Sequence, residues 1–347
     1  MNHVRRPRRP LVLGLLIALA LPLAALAQIG GDPTALVDQA ALAGAPLGEG
    51  LFQSEAGLVV EPIVRNGALY AVRAQSVAFD PDVALEAARL IGAASGFGAG
   101  IEQPVLDFFA EALPQIAGGG PSVVGIERFR LTLDVTGDAA PYDVTLVLAL
   151  AEVQDEAFPP ARHVKGPADA PIVIRDFSDF SCPACRRFVL EVLPMLESTL
   201  LARGDVRIEF HHFPLIGSFP NSFRAAEVAE CVADANPERD DAFWTMHDAM
   251  YERQAEWSRA TGPEPLLLQI ARDVDLGTTG VADCLIEGRH VATVQAGYDT
   301  AASLQLRGTP TIFVGGFQVD NWIDLGAYQQ AIGYLETFGL VELDSGD

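Results

Sequence analysis

Beyond residue 57 the apolar positions follow two periods, and each change of period marks a new element. Leu58 to Arg65 and Ala68 to Val77 are β-prone runs on either side of Asn66-Gly67, the dipeptide that best tolerates the positive φ angles of a tight hairpin. Asp80-Pro81 then reads as a helix cap with proline in the first turn, and Val83, Ala87, Leu90, Ile91 and Ala94 share one helical face. A second helix carries Val105, Phe108, Phe109, Ala112, Leu113 and Ile116, and the run Gly118-Gly119-Gly120-Pro121 stops it. Alternation returns at Phe129, Leu131, Leu133 and Val135, and again from Tyr142 to Leu150, as in half-buried antiparallel strands. Residues 50–153 therefore predict a ββααββ unit of α+β class. It holds no cysteine, no histidine and no paired-acid motif, so its expected role is docking, dimerisation or substrate presentation.

Residues 28–49, rich in Ala, Gly and Pro without periodicity, read as a linker or loosely docked arm, and residues 154–162 as a second linker. Ile172 to Phe177, apolar apart from Arg175 and Asp176, reads as a buried strand. Arg186 to Arg203 reads as one helix bent at Pro194, which removes an internal hydrogen bond. Val206 to Phe213 is another strand, and the pattern from about 219 to 306 is wholly helical. A hairpin, Thr311 to Val314 and Phe317 to Val319, turns at Gly315-Gly316, and Leu325 to Phe338 is a last helix. The order is β-α-β, a helical insertion, then β-β-α.

A length of 347 residues suits two domains, and a formal charge of -23 argues against nucleic acid or an anionic membrane surface as partner. The N-terminus carries the three parts of a secretory signal: Arg5, Arg6, Arg8 and Arg9, an apolar stretch from Leu11 to Leu21, and Ala25-Leu26-Ala27. Residues 1–27 are expected to be cleaved, delivering the chain to the periplasm or cell envelope; an uncleaved signal that anchors it to the membrane is the alternative. All four cysteines lie in the exported part, where disulfides persist.

The chemistry centres on Cys182-Pro183-Ala184-Cys185, which follows the buried strand and opens a helix. A first cysteine there meets unpaired helix amides able to stabilise its thiolate, which points to redox chemistry. Half of a structural zinc site is the competing reading, but Cys231 and Cys284 form no second Cys-x-x-Cys, and no metal is expected. Asp179 reads as a solvated loop acid rather than a helix cap. His211 and His212 alternate faces on a strand and so cannot share a metal; one core and one surface role suit them better, and packing or a surface contact suits His247.

This constellation resembles the DsbA-like thiol-disulfide oxidoreductases of the bacterial cell envelope, over about His163 to Leu340. The likeness is carried by Gly166-Pro167 with Ala170-Pro171, the segment from Asp176 to Cys185, Phe243-Trp244 with His247-Asp248, and Gly308-Thr309-Pro310-Thr311-Ile312-Phe313. It implies an α/β protein: a thioredoxin fold at residues 163–340 with an inserted helical domain, preceded by the smaller α+β unit. It also implies a cis bond before Pro310, with Thr309 and Pro310 facing the cysteines and binding an extended substrate. Cys182 would be the attacking thiolate and Cys185 the buried resolving thiol, with Pro183 pre-set for the first helical turn. Asp176, six residues before Cys182, would be a buried acid of raised pKa that takes the Cys185 proton. Cys231 and Cys284 would form a structural disulfide, as similar pairs do in some relatives; two buried free thiols are the alternative. The strongest oxidants of the family carry histidine where this chain has Ala184, whose side chain offers neither charge nor hydrogen bond, so a less oxidising pair is expected. The implied activity is insertion of disulfides into reduced exported proteins, with reoxidation by a membrane quinone-linked thiol oxidase and no cofactor. A dimeric isomerase or reductase, and an envelope binding protein with one dedicated redox client, are the alternatives.

Overall fold

A computed structural model of the chain describes residues 29–341, and the expected signal segment 1–27 lies outside them. Two compact units divide between Ala151 and Glu152, and residues 334–340 count with the first.

The first unit is built on a seven-stranded antiparallel sheet in the order β1-β2-β3-β4-β7-β6-β5. Its strands are β1 (Gly44–Gly48), β2 (Leu51–Ser54), β3 (Val59–Arg65), β4 (Ala68–Phe79), β5 (Ser122–Ile126), β6 (Phe129–Thr136) and β7 (Tyr142–Leu150). The alternation in β6 and β7 works as the pattern demands: the partners Leu131 and Leu148, and Leu133 and Leu146, are all buried on one face. Asn66 and Gly67 both have positive φ (49° and 80°) between β3 and β4, as a tight hairpin requires. Helix Pro81–Ser95 starts on Asp80, whose carboxylate accepts from the amides of Asp82 and Val83 at 2.9 and 3.0 Å. The sheet is three strands wider than the pattern predicts. β5 buries only Val124 and Ile126, too little for a visible period.

The expectation of a loose linker at 28–49 is corrected. Ile29, Leu36 and Ala40 are buried, the Ile29 amide donates to the Ala94 carbonyl at 3.1 Å, and β1 pairs with β2. Backbone hydrogen bonds and scattered apolar contacts, Leu42 among them, hold this segment, and neither leaves a period in the sequence. Residues 334–340 also belong to this unit: Phe338 meets Tyr70 edge-on, and Asn66 Nδ2 donates to the Thr337 carbonyl at 2.9 Å.

The second unit holds a five-stranded mixed sheet, order β12-β11-β9-β10-β8, made of β8 (His163–Lys165), β9 (Ile172–Ser178), β10 (Val206–His212), β11 (Thr311–Val314) and β12 (Phe317–Gln318). β9 lies at its centre, parallel to β10 and antiparallel to β11, and every residue of it is buried. That position explains its apolar start, Ile172-Val173-Ile174, and buries Arg175 and Asp176 along with it. The connection from β9 to β10 runs through the helix that begins at Pro183, and between β10 and β11 come helices Ser222–Asp234, Ala242–Glu252, Gln254–Trp257, Glu264–Asp273, Val281–Ile286 and Val291–Ser303. This is the thioredoxin fold with a helical insertion. Cys231 and Cys284 are joined in a disulfide, Cα–Cα 5.9 Å, between the first and the fifth of those insertion helices.

The single helix bent at Pro194 is corrected in detail. α-Helix Pro183–Arg187 passes into one π-helical stretch, Phe188–Val192, before α-helix resumes at Leu193–Thr199 with Pro194 in its first turn. The widened turn accommodates the amide that proline lacks, so the irregularity precedes the proline. Among the described residues no helix is long and apolar enough to cross a membrane.

Candidate active site

β9 ends at Ser178, and four residues later the chain turns into the helix with Cys182 as its N-cap, φ -78° and ψ 124°. Pro183 occupies the first helical position, where a missing amide costs nothing. No side chain caps this helix, which leaves its first amides free for the sulfur. Across from it, β11 pairs with β9 with Thr311 opposite Phe177, and the Thr309–Pro310 bond just before that strand is cis. This register brings the Thr309 carbonyl to 3.4 Å from Cys182 Sγ, to which the thiol donates. The sheet pairing therefore unites two segments that lie 127 residues apart in sequence.

The two cysteines are not joined to each other, and their environments differ. Cys182 keeps 6% of its surface exposed and Cys185 none. A hydrogen bond from the Cys185 thiol pulls Cys182 down from its ordinary 9.0 to about 6; burial opposes this, and the Thr309 side chain and the backbone amides of Cys185 and Ala184 assist. Burial, then the neighbouring Cys182 and Asp176, push Cys185 well above 9.0. Asp176 sits mid-sheet, opposite Phe210 and Ile312, and burial raises it from 3.8 to about 7 against a hydrogen bond from the Ser178 hydroxyl. The arrangement thus offers one low-pKa sulfur near the surface, one buried high-pKa sulfur, and an acid near neutrality beside the latter. That is the proton and electron inventory of dithiol–disulfide exchange.

Asp179 is not a solvated loop acid. It is buried and accepts from the Ser181 amide (2.7 Å), the Leu215 amide (2.8 Å) and the Ser222 hydroxyl (2.7 Å), while its own amide donates to Cys185 Sγ at 3.5 Å. Two of those partners lie 36 and 43 residues downstream, so no local pattern reveals them. The surface role expected for one of His211 and His212 is also corrected: both are buried. His211 stacks on Phe177, and His212 Nε2 lies 2.7 Å from Glu230 Oε1. His247 is fully buried, with Nδ1 2.7 Å from Asp248.

Three polar groups near the site escape the sequence pattern. Glu230, with no exposed surface, gathers His212, His163 at 2.8 Å and Arg162 at 3.1 Å; against burial, the two histidines hold its carboxyl well below the usual range. Gln254 and Tyr251, on the insertion, reach the loop that carries Cys182: Gln254 Nε2 donates to the carbonyls of Phe180 and Cys182, and the Tyr251 ring packs on Phe180. Neither residue stands out in the sequence, because both lie in the polar stretch Tyr251-Glu252-Arg253-Gln254-Ala255-Glu256. Among the described residues, the grouping of three or more potential metal ligands is Cys231, Cys284 and His290, whose two sulfurs are bonded to each other; Cys182 and Cys185 are outside it.

Comparisons with known proteins agree with this geometry. The thioredoxin family model matches residues 159–333, half of the chain. The probable disulfide bond formation protein D of Bacillus anthracis is 30% identical over 154 residues, which are 44% of this chain and 68% of that protein. Na(+)/H(+) antiporter NhaA 3 of Salinispora tropica is 32% identical over 158 residues, and there the match spans 46% of this chain but only 22% of the antiporter. The crystal structure of oxidised BdbD from Bacillus subtilis aligns with 55% of this chain and 97% of its own at 22% identity, TM-score 0.44. With the family model matching half of its residues and the Bacillus protein covered over two thirds of its length, this chain belongs to the DsbA-like thiol-disulfide oxidoreductases of the thioredoxin family.

Proposed function

We propose that the protein introduces disulfides into exported proteins through the Cys182–Cys185 pair. A substrate thiolate attacks Cys182 Sγ of the oxidised pair, a mixed disulfide forms, and Cys185 leaves as a thiolate that takes a proton from Asp176. A second substrate thiolate then attacks the substrate sulfur of the mixed disulfide and releases Cys182. Two substrate thiols become one disulfide, and the enzyme's disulfide becomes a dithiol, so electrons balance. Thr309 and Pro310 flank the sulfur and offer backbone groups to the extended substrate. A membrane quinone-linked thiol oxidase would take the two electrons and restore the disulfide. The reaction belongs outside the cytoplasm, reached through the segment 1–27, and the first unit serves docking or presentation.

One observation carries this reading: Cys182, at the helix start and 3.4 Å from the Thr309 carbonyl, is drawn down to about 6 while its partner is buried and pushed up. A low pKa makes Cys182 the better leaving group, which favours handing the disulfide on. Mixing the oxidised protein with a reduced, unfolded multi-cysteine substrate should transfer one disulfide per molecule, and Cys182→Ser should transfer none. Undiminished transfer by that variant would overturn the reading, and a preference for reducing substrate disulfides would favour a reductase.

A further inference from the structure

The insertion does more than cover the cysteines. Gln254 is buried, and its single amide group makes two hydrogen bonds, Nε2 to the Phe180 carbonyl at 2.8 Å and to the Cys182 carbonyl at 2.9 Å. These carbonyls bracket the turn from strand to helix. The Cys182 carbonyl is also the first acceptor of that helix, taking the Arg186 amide at 3.0 Å. Gln254 is itself fixed. Asn221 Nδ2 donates to the carbonyls of Trp257, Ser258 and Ala260, the Trp257 indole donates to the Met250 carbonyl at 3.0 Å, and Arg253 pairs with Glu256 and Asp273. A second tie runs between the same segments, from Arg186 Nε to the Tyr251 carbonyl at 3.0 Å.

We infer that Gln254 is a positioning residue for Cys182: by pinning the carbonyls of Phe180 and Cys182 it holds the first helical turn so that the amides of Ala184 and Cys185 point at the sulfur. The inference rests on Cys182 being the attacking thiol. Gln254 touches no reacting atom and works through backbone alone. Two features separate this from plain packing. An apolar side chain would fill the space as well, and a carboxylate of the same shape would present an acceptor to two acceptors. Loss of the amide leaves buried carbonyls short of a donor, and the turn relaxes to find one.

The test is a spectroscopic titration of the Cys182 thiolate, with alkylation rate as a second readout, in full-length reduced protein, comparing wild type with Gln254→Leu and Gln254→Glu. Both variants should raise the thiolate midpoint by about one pH unit, which is about a tenfold loss of thiolate below the midpoint. Gln254→Glu should be the more affected once its carboxyl ionises. A midpoint unchanged in both, even with lowered stability, would reduce Gln254 to a packing role and overturn the inference. If Gln254→Leu does not fold, the uncharged Gln254→Met takes its place under the same criterion, because the carboxylate of Gln254→Glu also repels the thiolate directly. Disulfide transfer measured on wild type and Cys182→Ser alongside keeps the two proposals apart: transfer surviving in Cys182→Ser sinks the function, whereas an unmoved midpoint sinks only the role of Gln254.

Discussion

Asp176→Asn tests the buried acid through stability. The wild-type carboxyl has its ordinary 3.8 when unfolded and about 7 when folded, because its site is buried. Below pH 3.8 it is neutral in both states and costs nothing. From there to about pH 7 the unfolded chain ionises while the folded one stays protonated, so stability falls as pH rises; above about 7 the full penalty applies. Three units at 1.36 kcal/mol each put that penalty at about 4 kcal/mol as an upper figure. Asparagine keeps an acceptor for the Ser178 hydroxyl and removes the charge. Urea unfolding of the oxidised protein, followed by tryptophan fluorescence, suits the measurement because Trp244, Trp257 and Trp322 all lie in the second unit. The variant's advantage over wild type should grow between pH 4 and pH 8 by up to about 4 kcal/mol. Any fixed cost of the new amide cancels in that difference. Parallel pH curves for the two proteins would refute the raised pKa, and an advantage that shrinks toward pH 8 would reverse its sign.

Cys182 gives the opposite pH signature. Alkylation of the reduced protein should show a midpoint at about pH 6, and stability of the reduced form should rise from that pH toward 9 and be lost as pH falls through 6; a midpoint near 8.5 would mean that the Cys185 thiol, Thr309 and the helix amides do nothing for the sulfur. Replacing Cys231 and Cys284 together by serine should lower stability by about 4 kcal/mol, from opening a loop of 53 residues, yet leave disulfide transfer in place; loss of transfer in folded variant would show that this pair takes part in the exchange.

What was legible in the sequence follows from range. Elements with a strong period, such as helix Pro81–Ser95 and the strands β6 and β7, appear where the alternation of Leu, Val and Phe puts them, because each buries a face. The cysteine pair and the Thr309–Pro310 dipeptide were readable as motifs, since each is contiguous. What escaped is held by groups distant in sequence or by backbone alone. Asp179 finds two of its three donors beyond residue 210, Glu230 collects histidines from two strands, and β1 is a run of Gly, Ala, Pro and Leu fully exposed along its length. Such elements are specified by pairing with neighbours, which a one-dimensional pattern does not encode.

Ala184 illustrates the same limit in energetic form. Its side chain adds nothing to the sulfur, but its backbone amide does, together with the amide and thiol of Cys185 and Thr309. These donors draw Cys182 from 9.0 to about 6 without an imidazole. At pH 7 such a thiol is about tenfold more thiolate than thiol, which stabilises the reduced pair by about 1.4 kcal/mol and shifts its potential about 30 mV in the oxidising direction. The rest of the depression is realised only as pH rises toward 9. A histidine cation at position 184 would lower the pKa further, each added unit contributing about another 30 mV at pH 7. The handicap of alanine is therefore a matter of tens of millivolts per unit of lost thiolate stabilisation, set against a depression led by the Cys185 thiol, to which the amide of residue 184 adds what any residue except proline would supply.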